Sequence, residues 1–145
     1  MNPISEIIKD ILVKEGVGEF ASTKTNEWGI FIFEEPDTPP LTVTIYDTPS
    51  TSDKVMSGDD FHHSTFQIRV RGTSYLDTHE KCEEIRILLH KYTSKTGGSK
   101  ETTGDGMWLD NVIMDSESSP LPSRPKDKRG RFIFVVDGTA YRQKI

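Results

Sequence analysis

At 145 residues the chain has the length of one domain with a single core, and 33% of its residues are hydrophobic while 28% are charged. Its formal net charge of −5 disfavours general electrostatic binding to nucleic acid, which requires clustered Lys and Arg. One cysteine, Cys82, excludes an internal disulfide framework, and the sequence shows neither a secretory leader pattern nor an apolar run of about 18 residues. We therefore expect a protein that is made and kept in a cytosol.

The first predicted element is an N-terminal helix. Asn2 can cap it, and Pro3 suits its first turn because proline has no amide hydrogen to leave unpaired there. Apolar residues recur at the spacing of one helix face, at Ile4, Ile7, Ile8, Ile11 and Leu12. Gly16 and Gly18 follow, and we expect the helix to end before them.

Two strands are predicted next. Residues 29–33 read GIFIF, an apolar run that suits a strand covered on both faces, and the prolines that follow exclude regular pairing. Residues 41–46 alternate between apolar and polar side chains, which is typical of a half-buried strand. Turn residues then end this strand at residues 47–49.

A third strand and a long helix form the centre of the chain. Residues 64–71 alternate again, and Gly72 ends the pattern. Ser74, with Asp77 three residues later, can satisfy the free amide groups at a helix start. The helix that follows carries an apolar stripe at Cys82, Ile85, Leu89 and Tyr92, so it should pack on a sheet.

Two late strands complete the prediction, near residues 107–114 and 131–136. Asp137-Gly138 is a hairpin turn signal, after which residues 139–142 could return as a short strand. The sequence therefore predicts an α+β fold in a single domain, residues 1–145. Its single, mostly antiparallel sheet has about five strands, with the N-terminal helix and one long central helix packed on it, plus long loops.

Two of the predicted loops carry opposite charge. Between Glu34 and Asp60 there are seven acidic residues and one lysine, and residues 48–60 within this stretch are expected to form a protruding arm. The loop of residues 116–130 is basic, and a third loop at residues 94–106 is rich in glycine. Opposite charges of this kind suit head-to-tail subunit contacts, although two unrelated solvated loops explain them equally well. The candidate interface residues are Asp53, Lys54, Asp59, Asp60, Arg124, Lys126, Lys128 and Arg129.

The sequence offers weak candidates for a metal or catalytic site. Two carboxylates, Asp59 and Asp60, precede two imidazoles, His62 and His63, and such a set could hold zinc or another transition ion. Adjacent histidines on a strand point to opposite sides, however, so this spacing favours a solvated junction. No nucleophile, base and orienting group occur together, and we therefore predict no catalytic residues, no metal, no cofactor and no enzymatic activity.

Three stretches resemble the minor capsid and tail terminator proteins of long-tailed bacteriophages: residues 43–49 (VTIYDTP), residues 66–72 (FQIRVRG), and Tyr75 at the start of a helix. The order of predicted elements is similar over most of the chain. The resemblance implies a structural virion protein at the neck of a siphophage. It implies a homohexameric ring that caps the tail tube, ends tube polymerisation and provides the docking surface for the DNA-filled head.

The resemblance also implies partners and a location. These partners are other copies of the chain, the tail tube protein and a head-completion protein of the neck, while genomic DNA passes through the ring without specific binding and no membrane is involved. The protein would assemble in the host cytoplasm and end at the tail-neck junction of the virion. Two alternatives stay open: a head-completion or neck adaptor protein, and a small α+β nucleotide-binding enzyme that uses the loop around Gly97 and Gly98, although phosphate-loop spacing is missing there.

Overall fold

Two helices lie on one face of a seven-stranded mixed sheet in the computed structural model, which describes residues 3–49, 61–92, 107–121 and 127–144. The helices are α1 (Ile4–Lys14) and α2 (Tyr75–Leu89). The strands are β1 (Glu19–Phe20), β2 (Gly29–Ile32), β3 (Thr42–Asp47), β4 (Phe61–Gly72), β5 (Met107–Met114), β6 (Ser119–Pro120) and β7 (Phe132–Lys144).

The sheet corrects the predicted architecture of about five mostly antiparallel strands. Its strands lie in the order β1-β2-β3-β4-β7-β5, and β6 also pairs with β7. β1 and β2 are parallel, as are β2 and β3, whereas the pairs formed by β4 and β7 are antiparallel. β1 and β6 were missed because their two residues each are too few to show strand alternation.

The parallel pairing of β2 with β3 requires the chain to run back along the sheet between them. Residues 33–41 make this return, which begins at Phe33 with a positive φ of 63°. The Arg71 guanidinium of β4 donates to the main-chain carbonyls of Pro36, Asp37 (3.4 Å) and Pro39 (2.9 Å) and so fixes the segment. The prolines excluded pairing as predicted, but they carried no information about strand direction.

The predicted turn at Asp137-Gly138 is wrong, because β7 continues through it from Phe132 to Lys144. Gly138 pairs with Phe66 of β4. A Cβ atom at residue 138 would lie 2.5 Å from Phe66 Cζ and 2.9 Å from Met114 Sδ. Glycine is therefore required here by the close approach of two neighbouring side chains, and not by a chain reversal.

The apolar stripes predicted for both helices are confirmed. Ile4, Ile7, Ile8, Ile11 and Leu12 of α1, and Cys82, Ile85, Leu89 and Tyr92 of the α2 region, are buried in one core with one face of the sheet. The predicted cap of α2 is present, since Asp77 N donates to Ser74 Oγ at 3.4 Å. Neither helix in the described ranges is long and apolar enough to cross a membrane.

The start of α1 is capped by a distant strand. Pro3 occupies the cap position and makes no side-chain cap, while Asn2 lies outside the described residues. Instead the carboxylate of Asp47, at the end of β3, accepts from Ser5 N (2.9 Å) and Ser5 Oγ (2.7 Å). An acid at a helix start also suits the helix dipole, so Asp47 ties α1 to the sheet.

The edge strand β5 is hydrogen-bonded to the two residues that follow α2, His90 and Lys91. Lys91 N donates to Val112 O at 2.7 Å, and Met114 N donates to His90 Nδ1 at 3.2 Å. These groups occupy main-chain atoms of β5 that another strand could otherwise have used.

We predict that Gly138→Ala lowers the free energy of unfolding by about 1–3 kcal/mol, because overpacking forces the Phe66 ring and Met114 to move. Urea denaturation followed by circular dichroism measures this change. Adding Phe66→Leu should return part of the loss by making room for the new methyl group. An unchanged denaturation midpoint for Gly138→Ala would contradict the close approach.

Replacing Arg71 should loosen the return segment. We expect Arg71→Met to lower the free energy of unfolding by about 2–4 kcal/mol, because three main-chain carbonyls and Glu35 lose their donor. Lys128→Met, an exposed change of the same kind, should stay within about 0.5 kcal/mol of the wild type. Equal midpoints for the two variants in urea would show that Arg71 does not hold the segment.

Candidate interaction surface

The face of the sheet opposite the helices carries polar and aromatic side chains. Gln67 and Arg69 of β4 lie there with Asp137 of β7, and all three are half-buried. Arg69 Nε donates to Gln67 Oε1, and Gln67 Nε2 donates to Asp137 Oδ1, both at 3.1 Å. The Arg69 guanidinium also lies 5.1 Å from the centre of the Tyr46 ring. No helix in the described part of the chain covers this open face.

At one end the open face deepens into a cleft of about 660 Å³, which we name the cationic cleft. Five cationic side chains line it together with three acidic ones, which leaves a local excess of two positive charges. Leu121 adds half-buried apolar surface, and Ile133 also lines the cleft although it is only 5% exposed. The cations are Arg69, Arg71, Lys128, Arg129 and Arg131, and the acids are Glu35, Asp37 and Asp127.

Ion pairs within the subunit fix one side of the cationic cleft. Arg131 Nε lies 2.6 Å from Asp127 Oδ2, and its terminal nitrogen Nη2 lies 3.1 Å from Asp37 Oδ1. Arg129 pairs with the other oxygen of Asp37 at 2.6 Å. Burial raises the pKa of Asp127, but hydrogen bonds from Arg131 and Arg129 outweigh it, and the pKa of this carboxyl is lowered overall. Arg129 and Arg131 are thus already balanced by acids of the same chain.

Arg71 lies at the back of the cationic cleft and is only 4% exposed. Burial lowers the pKa of its guanidinium, and Glu35, 3.3 Å away, opposes that effect. Among the described residues, Arg71 Nε has no hydrogen-bond partner, and neither have the buried hydroxyls of Thr42 and Thr44 on the same face of the sheet. A buried polar atom without a partner costs about 1–3 kcal/mol, so a polar group reaching Arg71 Nε would be stabilised there.

Two cations account for the excess positive charge. Within the described ranges, neither Arg69 nor Lys128 lies in an ion pair with an acid. Lys128 is exposed and Arg69 is half-buried. These two side chains are therefore the part of the cleft that can still attract an acidic partner.

The structure describes only two of the predicted interface residues. Lys128 and Arg129 line the cationic cleft, whereas Asp53, Lys54, Asp59, Asp60, Arg124 and Lys126 lie outside the described residues. Sequence reasoning did not single out Arg69, Arg71 or Arg131 as site residues. Arg69 and Arg71 are two residues apart on a strand, a spacing that could have placed both on one face.

The histidines occupy separate environments. His63 contacts the ring of Tyr141 edge-on at 4.7 Å, on the face of β4 opposite to that of His62. His79 packs on Phe134 at 5.3 Å. No group of three or more potential metal ligands occurs among the residues that the structure describes, while Asp59 and Asp60 lie outside them.

The single cysteine, Cys82, lies on the buried face of α2 and is fully buried in the core. Burial raises the pKa of the Cys82 thiol to about 11, so it stays protonated at neutral pH. A thiol of this kind packs as a small hydrophobic group and is not a nucleophile. The glycine loop around Gly97 and Gly98 lies outside the described residues.

Comparison with known proteins gives one family. Residues 11–142 match the family described as bacteriophage tail terminator protein. No curated protein matches the chain. Among similar solved structures, one shares 13% sequence identity with a TM-score of 0.49, over 95% of this chain and 94% of that chain. Because the family match spans most of the sequence, the chain belongs to the bacteriophage tail terminator family.

Proposed function

We propose that this protein caps the phage tail tube as a homohexameric ring, ends tube polymerisation and provides the docking surface for the DNA-filled head. The family match over residues 11–142 carries this proposal, since it makes the chain a component of the phage tail. The partners are the tail tube protein on one side of the ring and a head-completion protein of the neck on the other. The protein then acts at the tail-neck junction of a siphophage virion, after assembly in the host cytoplasm.

The charge distribution supports a ring through which DNA passes. A net charge of −5 gives the subunit no general attraction for the phosphate backbone. The five cations of the cationic cleft are grouped with three acids, and Arg129 and Arg131 are paired within the subunit. Such a surface suits a protein contact better than binding to a polyanion.

Assembly and support, rather than catalysis, are the proposed role. The only cysteine is a buried thiol with a raised pKa. His63 and His79 contact aromatic rings, and His90 accepts a hydrogen bond from the main chain. The open sheet face and the cationic cleft supply contact surfaces. We place the candidate residues Asp53, Lys54, Asp59, Asp60, Arg124, Lys126, Lys128 and Arg129 at contacts with neighbouring subunits or with head and tail partners.

The first test is assembly. Purified protein should have a native mass of six times the 16.4 kDa subunit, measured by native mass spectrometry and light scattering. Phages without the protein should make tails of irregular length that fail to join heads, and a supplied copy should restore both properties. A monomer at every concentration, with uniform tails in its absence, would contradict the terminator role.

Reversing the charge of the basic loop tests whether its residues make contacts with other subunits or partners. We expect Arg124→Glu, Lys126→Glu and Lys128→Glu together to weaken ring formation or head joining, because surface charges set association rate and register. Arg129 is retained, since it pairs with Asp37 inside the subunit. The melting temperature of the subunit should change little, as expected for exposed positions. Wild-type tails and head joining with the triple variant would remove this loop from the contacts.

A further inference from the structure

A second open groove lies on the helix side of the sheet and has the opposite charge. It measures about 350 Å³, and its floor includes Trp28 and Leu41. Lys81 lies in it, 3.1 Å from Glu84 and 5.6 Å from the centre of the Trp28 ring. Two exposed acids at the start of α2, Asp77 and Glu80, have no cation paired with them in the described ranges. We name this surface the acidic groove; its local excess is two negative charges.

Apolar side chains beside the acidic groove are exposed to solvent. Tyr75 is 53% exposed and Leu76 is 61% exposed, although both are large and hydrophobic. The Tyr75 ring is held in place by edge-on contacts with Phe132 at 5.5 Å and Phe134 at 5.1 Å. A rigid, half-exposed tyrosine next to charged residues is the type of residue that anchors protein interfaces.

The acidic groove and the cationic cleft match each other in charge and chemistry. The cleft has two cations without an acidic partner, Arg69 and Lys128, and apolar surface from Leu121 and Ile133. The groove has two acids without a cationic partner and the exposed Tyr75 and Leu76. Each surface therefore offers charge opposite to that of the other, together with apolar side chains that can make contact.

Both surfaces lie at the same end of β4 but on opposite faces of the sheet. Arg71 points into the cleft on the open face. A side chain at the next residue, Gly72, would meet Thr78 and Trp28, which line the groove on the helix face. Two different patches on opposite faces of one subunit cannot meet within that subunit, and between copies they produce head-to-tail contacts, which form a ring when the rotation between neighbours closes.

We propose that the start of α2 in one subunit, with Asp77 and Glu80, docks into the cationic cleft of the next copy of this chain. This contact rests on the proposed ring and assigns the surfaces that join its subunits. Asp77 and Glu80 face Arg69 and Lys128 of the neighbour, and Tyr75 and Leu76 cover Leu121 and Ile133. The charges set the register of the ring, and the apolar side chains supply most of its affinity.

Two oppositely altered subunits test this contact. The first carries Asp77→Lys and Glu80→Lys, and the second carries Arg69→Glu and Lys128→Glu. Alone, the first presents two positive surfaces and the second presents two negative ones, so each should need about tenfold or more protein to assemble than the wild type. Mixed in equal amounts, they should form rings of alternating subunits, three of each, which native mass spectrometry resolves by the difference in subunit mass.

The control carries Glu15→Lys and Glu34→Lys, which give the same change in net charge as the first variant at exposed positions outside both surfaces. It should assemble like the wild type. Thermal melting of each altered subunit confirms that it is folded before mixing. The contact is contradicted if both altered subunits assemble alone like the wild type, or if their mixture stays unassembled. A wild-type ring with either of those results refutes this contact alone, whereas a monomeric wild type refutes the ring and the contact together.

Discussion

The parallel part of the sheet, formed by β1, β2 and β3, depends on the hydrogen bonds that the guanidinium of Arg71 donates. A parallel pair needs a connection that returns along the sheet, and residues 33–41 do so without a regular element to satisfy their carbonyls. Arginine carries five N–H donors in a planar fork, so one side chain serves Glu35 and three carbonyls at once. The same side chain also lines the cationic cleft. Arg71 therefore contributes both to the stability of the sheet and to the surface of the proposed contact.

Periodicity predicted the elements that bury one continuous face. Spacing predicted both helices and the strands near residues 41–46 and 64–71, which the structure gives as Thr42–Asp47 and Phe61–Gly72, since burial on one side imposes a period on the sequence. The strands near residues 29–33 and 107–114 were predicted from their composition. Spacing did not predict the direction of the strands, the two short strands β1 and β6, or the continuation of β7. A two-residue strand has no period, and Asp137-Gly138 has the composition of a turn although Gly138 is needed to admit the side chains of Phe66 and Met114.

For the candidate surface, the sequence predicted the basic residues of one loop but not the distant residues that surround them. The basic character of Lys128 and Arg129 is visible in the sequence, but their environment is tertiary: Arg131 binds Asp37, which is 94 residues away in the chain. That ion pair changes how the charge pattern is interpreted. The opposite charges suggested contacts between subunits, but some of them pair with each other within a single subunit. The acidic groove was not predicted at all, and it is the position of Gly72 that places it at the same end of β4 as the cleft, on the other face of the sheet.

The capped edge of β5 has a consequence for the pool of free subunits. An uncovered strand at the end of a sheet is a template for pairing with further chains. With Lys91 bound to Val112 and His90 bound to Met114, part of the main chain of the last strand is already occupied and cannot pair with an incoming chain. At this edge of the sheet, these two contacts hinder pairing with a strand of another chain.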